Sequence, residues 1–194
     1  MGSYHSRYYQ RYFEGYTETV IPNPDGSGSH TKMTYTGDYY RRDLPEGKYR
    51  LRRFLYAAIC LGTAALYFLC TTRPVGSNCT KYVVLPEVVV LACILRLSAA
   101  AAGYVTAARQ MEIRVYRNSS LALKKASLAC AVGLGLTALA VLVFLAVNPS
   151  ENLPGELSCM AGYMAGALMM LWLNRMEEKQ VYLKTAAGSI NQKQ

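Results

Sequence analysis

The chain has 194 residues, 21 Lys and Arg against 12 Asp and Glu, a formal net charge of +9, and 52% hydrophobic residues at a mean hydropathy of +0.09. That average conceals two unlike regions, a polar stretch 1–53 rich in Tyr, Arg and Gly and an apolar stretch 54–173 in four blocks of Ala, Leu, Val, Cys and Met, which excludes an ordinary soluble domain. With only His5 and His30, and with six cysteines that form no C-x-x-C pair, zinc, iron–sulfur and bis-His haem sites lack ligands at workable spacing, and no cofactor or metal is expected.

Residues 1–16 mix Tyr4, Tyr8, Tyr9, Tyr12, Phe13 and Tyr16 with Arg7 and Arg11, residue types that stack, touch headgroups or bind a partner without specifying which. Met1 to Ser6 fits a loose myristoylation pattern, but a chain that already crosses four times gains little from an acyl anchor. Tyr16 to Ile21 and His30 to Thr36 then flank Pro22-Asn23-Pro24-Asp25-Gly26-Ser27-Gly28-Ser29, and their β-branched and alternating residues predict a β-hairpin around a long turn. A lone hairpin is marginal in water, so it is expected to lean on the helices, on another copy or on a partner; the competing reading is a disordered tail.

Arg41, Arg42, Lys48, Arg50, Arg52 and Arg53 precede the first apolar block. They are expected to form a membrane-surface patch attracting anionic headgroups, worth about 1 kcal/mol per basic residue. Asp43-Leu44-Pro45-Glu46 predicts a helix start, with Pro45 in the first turn and Glu46 favoured by the dipole, feeding directly into the first span.

The predicted spans are Phe54 to Thr72, Val83 or Pro86 to Val105, Ala126 to Val147 and Pro154 to Leu173. Each covers about 30 Å of hydrocarbon at about 1.5 Å per residue. The fold class expected is an all-α integral membrane bundle of four helices. Its expected segments are a cytoplasmic region 1–53 with the predicted hairpin, a four-span domain 54–174 and a cytoplasmic tail 175–194. The first block follows a long polar stretch without a small-residue cleavage site and is expected to be a mature span. Arg109, Arg114, Arg117, Lys124 and Lys125 crowd the middle loop, Arg175, Lys179 and Lys184 follow the last span, and Asn148 to Glu156 carries no base, so both termini are expected in the cytoplasm. A bacterial cytoplasmic membrane is the expected location. The positive charge lies where topology requires it and calls for no nucleic acid.

Small residues recur every fourth position: Ala58 and Gly62; Ala129 and Gly133; Ala131 and Gly135; Ser158, Gly162 and Gly166. Close backbone approach at such faces is a main source of helix association in lipid, and the fourth span is the expected tight contact. Met160, Met164, Met169 and Met170 are expected to pack there, since a copper site would want His or Cys company.

Two charges fall inside the second span, Glu87 and Arg96. Glu87 follows Pro86, the arrangement a helix N-terminus prefers, which predicts an interfacial acid; the alternative is a proton or cation carboxylate. Arg96 falls at the midpoint of a helix from Pro86 to Val105. A central Arg costs about 2.5 to 3.5 kcal/mol and usually faces a bundle interior. Glu87 cannot pair with it, because nine residues at about 100° each place the two on opposite faces and about 13 Å apart. Candidate partners are Thr63, Tyr67, Thr137 and Tyr163, which makes Arg96, Glu87 and Tyr163 the candidate intramembrane polar site. If the span is instead shifted toward Tyr82, Arg96 approaches the cytoplasmic headgroups.

No nucleophile, base and orienter can be assembled from these residue types, so an enzyme is not expected. Small multidrug antiporters and disulfide-forming four-span enzymes share the span number, but their first-span Glu and Cys pairs are missing. The function expected is a non-enzymatic accessory or scaffold subunit of a membrane complex, engaging anionic lipid and a protein partner or further copies of itself. The alternative is a small oligomeric transporter or channel that binds an anion at Arg96.

Overall fold

A computed structural model describes residues 13–23, 28–149 and 152–186. Met1 to Tyr12 with its tyrosines, the turn Pro24 to Ser27 and Glu151 fall outside the described residues. The chain forms two compact units that do not follow contiguous segments. One is a helix bundle drawn from Leu44–Ala107 and Asn118–Gln180; the other is a sheet unit from the described parts of Met1–Asp43, Ala108–Arg117 and Val181–Gln194.

The bundle has helices α1 (Glu46–Thr71), α2 (Lys81–Thr106), α3 (Ala122–Val147) and α4 (Leu153–Glu178), each of 26 residues. At about 1.5 Å per residue each exceeds the ~30 Å of a bilayer's hydrocarbon. By length and composition all four can cross a membrane. Local chemistry sets their ends. Glu46 opens α1 behind Pro45, and the Asn152 side chain accepts from Gly155 N at 3.1 Å to cap α4. A single helical turn, Ile113–Tyr116, and a π-helical stretch, Arg117–Leu121, lead into α3.

The burial pattern departs from that of a soluble bundle, because large apolar residues lie on the outside as well as in the core. Tyr56, Tyr104 and Tyr163 are fully buried, whereas Leu61, Leu85, Leu95, Val132, Leu136, Leu168 and Trp172 are exposed. Where the helices meet, small residues set the spacing. A Cβ added at Gly133 would meet Val90 Cγ2 at 2.8 Å, one at Gly166 Leu134 Cδ1 at 3.2 Å, and one at Gly62 Met169 Cε at 3.1 Å; at Gly162 it would strike the Cys70 sulfur. These four expected packing residues lie in packed contacts, and α3 and α4 share the most extensive one. Ser158 departs from the expectation. It is exposed, accepts from Arg73 and donates to Gly155 O at 2.7 Å, because the stripe that buries Glu156, Cys159 and Tyr163 turns it outward.

Beside the expected mostly helical bundle stands a sheet unit, which holds the expected hairpin and a second, unexpected sheet. Strands β1 (Tyr16–Pro22) and β2 (Ser29–Tyr35) form the predicted antiparallel hairpin, with Tyr16 opposite Tyr35 and Pro22 opposite Ser29. Gly15, at φ 86°, closes its open end: Thr36 N and Gly37 N both donate to Gly15 O, at 2.8 and 2.9 Å. A second sheet centres on β3 (Tyr39–Arg42), flanked antiparallel by β4 (Gln110–Glu112) and β5 (Tyr182–Thr185). The hairpin leans on this second sheet. Tyr16 Oη donates to Glu112 Oε2 at 2.6 Å, Ile113 N donates to Tyr35 Oη at 3.1 Å, and the Tyr35 and Tyr39 rings meet edge to face at 5.0 Å.

Candidate functional site

Glu87 is the acid that the fold encloses. Because α2 begins at Lys81, Pro86 lies inside the helix and Glu87 lies beyond its first turn, which overturns the expectation of an acid at a helix N-terminus. The side chain is 7% exposed. Tyr163 Oη of α4 donates to Glu87 Oε1 at 2.6 Å, and Tyr67 Oη of α1 donates to the Glu87 backbone oxygen at 2.9 Å. Three helices are thereby tied through one residue. Beside them the Cys159 thiol points to Cys70 O at 3.7 Å, Gly162 packs against Cys70, and Thr137 Oγ1 donates within its own helix to Gly133 O at 3.0 Å. Thr63 Oγ1 is buried without a hydrogen-bond partner among the described residues.

Arg96 does not join them. It is exposed on α2 and makes no hydrogen bond or ion pair with the described residues, so none of Thr63, Tyr67, Thr137 and Tyr163 serves it. The expected interior position is corrected by the geometry that separates it from Glu87: residues nine apart face opposite ways, and Glu87 faces in. Of the three candidate residues, two come together and the third points out. Comparisons with protein-family models, curated proteins and solved structures return no significant match. The arrangement has only its own chemistry to speak for it.

That chemistry is bracing. A carboxyl with a phenol donor on one oxygen, and a second phenol on the backbone beside it, ties α1, α2 and α4 together, and no group of three or more His, Cys, Asp and Glu among the described residues could hold a metal. Hydrogen bonds in a low-dielectric interior are strong, and leaving one unmade is costly.

Two further buried acids brace the ends of α4. Glu156, fully buried, accepts from Ser77 N at 3.0 Å and from the Ser77 hydroxyl, fixing the connection between α1 and α2 to α4. At the other end Glu177 accepts from Tyr56 Oη at 3.0 Å, with the Tyr56 and Tyr104 rings 4.9 Å apart, and Asn174 Nδ2 donates to Lys124 O at 2.7 Å. Reading Glu156 as a loop charge and ending the fourth span at Leu173 hid both acids in the sequence.

The basic residues divide. Arg41, Lys48 and Arg50 are exposed, Arg50 pairing with Glu46 at 2.8 Å. Arg52 donates to Gln180, and the Arg53 guanidinium lies 5.1 Å from the centre of the Tyr49 ring. Arg42 is fully buried in β3 and is no surface residue: alternation along a strand turns it away from the side that Arg41 presents.

In the sheet unit Tyr40 stacks on Tyr116 at 4.6 Å, and Tyr116 meets Tyr182 edge to face at 4.8 Å. The hydrogen bond to Glu112 pushes the Tyr16 phenol up to about 12, since ionising it would cost that bond and set two negative charges together. Burial raises Tyr35, and the Asp38 carboxylate 2.7 Å away raises Lys184.

Proposed function

We propose that the chain is an integral membrane protein crossing the bilayer four times with both termini in the cytoplasm, and that it serves as a non-enzymatic accessory or scaffold subunit of a membrane complex. The observation that carries the reading is how the two charges in the interior of α2 are used. A conducting or transporting bundle needs a polar group lining an interior route, but Glu87 is engaged by Tyr163 among close-packed helices and Arg96 lies on the outside. An interior knitted by carboxyl–phenol bonds suits a rigid subunit.

The topology rests on two arguments of different kinds. Bases concentrate before α1, between α2 and α3, and after α4, as the positive-inside rule asks. Independently, β3, β4 and β5 come from those same three stretches, β4 and β5 each hydrogen-bond to β3, and strands of one sheet cannot lie on opposite sides of a bilayer. Exposed Arg41, Lys48 and Arg50 then suit an anionic lipid surface.

The test is reconstitution into liposomes with a broad anion panel. The expected outcome is neither anion flux nor anion-dependent thermal stabilisation. Flux that Arg96→Gln abolishes and Arg96→Lys keeps in part would overturn the scaffold reading in favour of an oligomeric transporter with its anion at Arg96.

A further inference from the structure

We infer that the outer face of α2 around Arg96 is the docking surface for a transmembrane helix of a different protein, one that carries a carboxylate at matching depth. The inference rests on the four-span reading and names the partner that reading requires. Arg96 lies ten residues before the end of α2 at Thr106, about 15 Å along the axis. It is exposed and makes no bond with the described residues. In hydrocarbon such a cation needs an anion, and escape to the nearer end of the helix runs against the lean of its side chain, which tilts toward the N-terminus.

Among the described residues no anion in the long helices could serve. The long helices carry Glu46, Glu87, Glu156, Glu177 and Glu178 as their only acids. Glu87, Glu156 and Glu177 are buried, and Glu46 and Glu178 are the terminal residues of α1 and α4. Successive spans alternate in direction, so α1 runs opposite to α2 and α4, and both terminal acids fall at the level of the C-terminal end of α2, about 15 Å from the depth of Arg96. A second copy beside the first would therefore offer Arg96 no carboxylate. A different chain must supply it. The planar fork of a guanidinium matches a carboxylate with two parallel hydrogen bonds, and Ala92 and Ala99, exposed one turn to either side of Arg96, leave a backbone room to approach.

The test uses the full-length protein in phosphatidylcholine vesicles with a dye-labelled Leu/Ala peptide of about 20 residues bearing one central Glu, long enough to span. A Gln version and a version with its Glu two turns off centre are the controls. The Glu peptide is expected to associate about tenfold more tightly than either control. The preference should vanish in Arg96→Gln and persist in part in Arg96→Lys. Equal association of the Glu and Gln peptides, or a preference that survives Arg96→Gln, overturns the inference, as does Arg96-dependent transfer between two labelled copies of this chain. Alkaline carbonate extraction of the same vesicles separates the two levels of failure: release of the protein refutes the membrane reading, whereas a retained protein with no peptide preference refutes only the docking surface.

Discussion

The bond between Tyr163 and Glu87 makes a prediction that a double-mutant cycle can read. Tyr163→Phe removes the donor and leaves a buried carboxyl oxygen unpaired, which should lower stability by about 1 to 3 kcal/mol in thermal unfolding of the detergent-solubilised protein. Glu87→Gln keeps an oxygen in the same place and should cost less than about 1 kcal/mol, while the double mutant should cost less than the sum. Strict additivity would mean the two side chains only neighbour each other. Both residues were recognisable in the sequence, Glu87 as a charge in an apolar run and Tyr163 as a polar tip in another, but their partnership was not. Pro86 drew the helix start to itself because Pro favours the first turn, whereas Thr80 is where the chain is extended, and Val83 N and Val84 N turn back to its carbonyl at 2.9 and 3.0 Å. Five residues of displacement change the acid from a helix-end charge into an interior brace.

At the scale of elements, α3 offers a controlled comparison of two glycines one half-turn apart. Gly133→Ala drives a methyl to 2.8 Å from Val90 Cγ2 and should destabilise by about 1 to 3 kcal/mol, since the β-branched Val90 side chain, stiff at χ1 in a helix, has little room to give way. Gly135→Ala enters open space and should be neutral or stabilising by up to about 1 kcal/mol from helix propensity. A cost at Gly135 equal to that at Gly133 would show that backbone flexibility, not packing, is what α3 needs. The strands carry a pH prediction. The Tyr16 phenol ionises near 12 in the folded sheet against its ordinary 10, so its bond to Glu112 stabilises the hairpin fully below pH 10, and that contribution is lost as pH rises toward 12. Glu112→Gln should return the phenol toward its ordinary value, seen as tyrosinate absorbance growing in at lower pH. The four helices were legible because long apolar runs broken by short polar loops have few alternatives, and the hairpin because its strands are close in sequence. β3, β4 and β5 were not: three- and four-residue strands carry almost no period, and β3 finds β5 only across the whole length of the four helices.

On the proposed four-span reading, the three-stranded sheet requires the stretches that supply β3, β4 and β5 to share one side of the membrane, and shortening the chain tests it. Stopping after Gln180 removes β5 and leaves β3 paired only with β4, a two-stranded arrangement that is marginal in water. The helix bundle keeps all of its residues, so its melting should be nearly unchanged. β3 should open. Arg41 and Arg42, held between two strands in the full chain, then become substrates for trypsin, with cleavage there faster by about tenfold because proteolysis follows the population of the opened segment. Sidedness supplies the second half of the experiment. In inside-out membrane vesicles the truncated chain should be cut at Arg41 and Arg42, and in right-side-out vesicles it should be spared, while a reporter active only in cytoplasm should work after Arg117 or Gln194 and fail after Asn152. Cutting from the outer side, or a working fusion at Asn152, would break the shared-side argument, because strands that hydrogen-bond in one sheet require the N-terminal stretch, the middle loop and the C-terminal stretch to meet in one compartment.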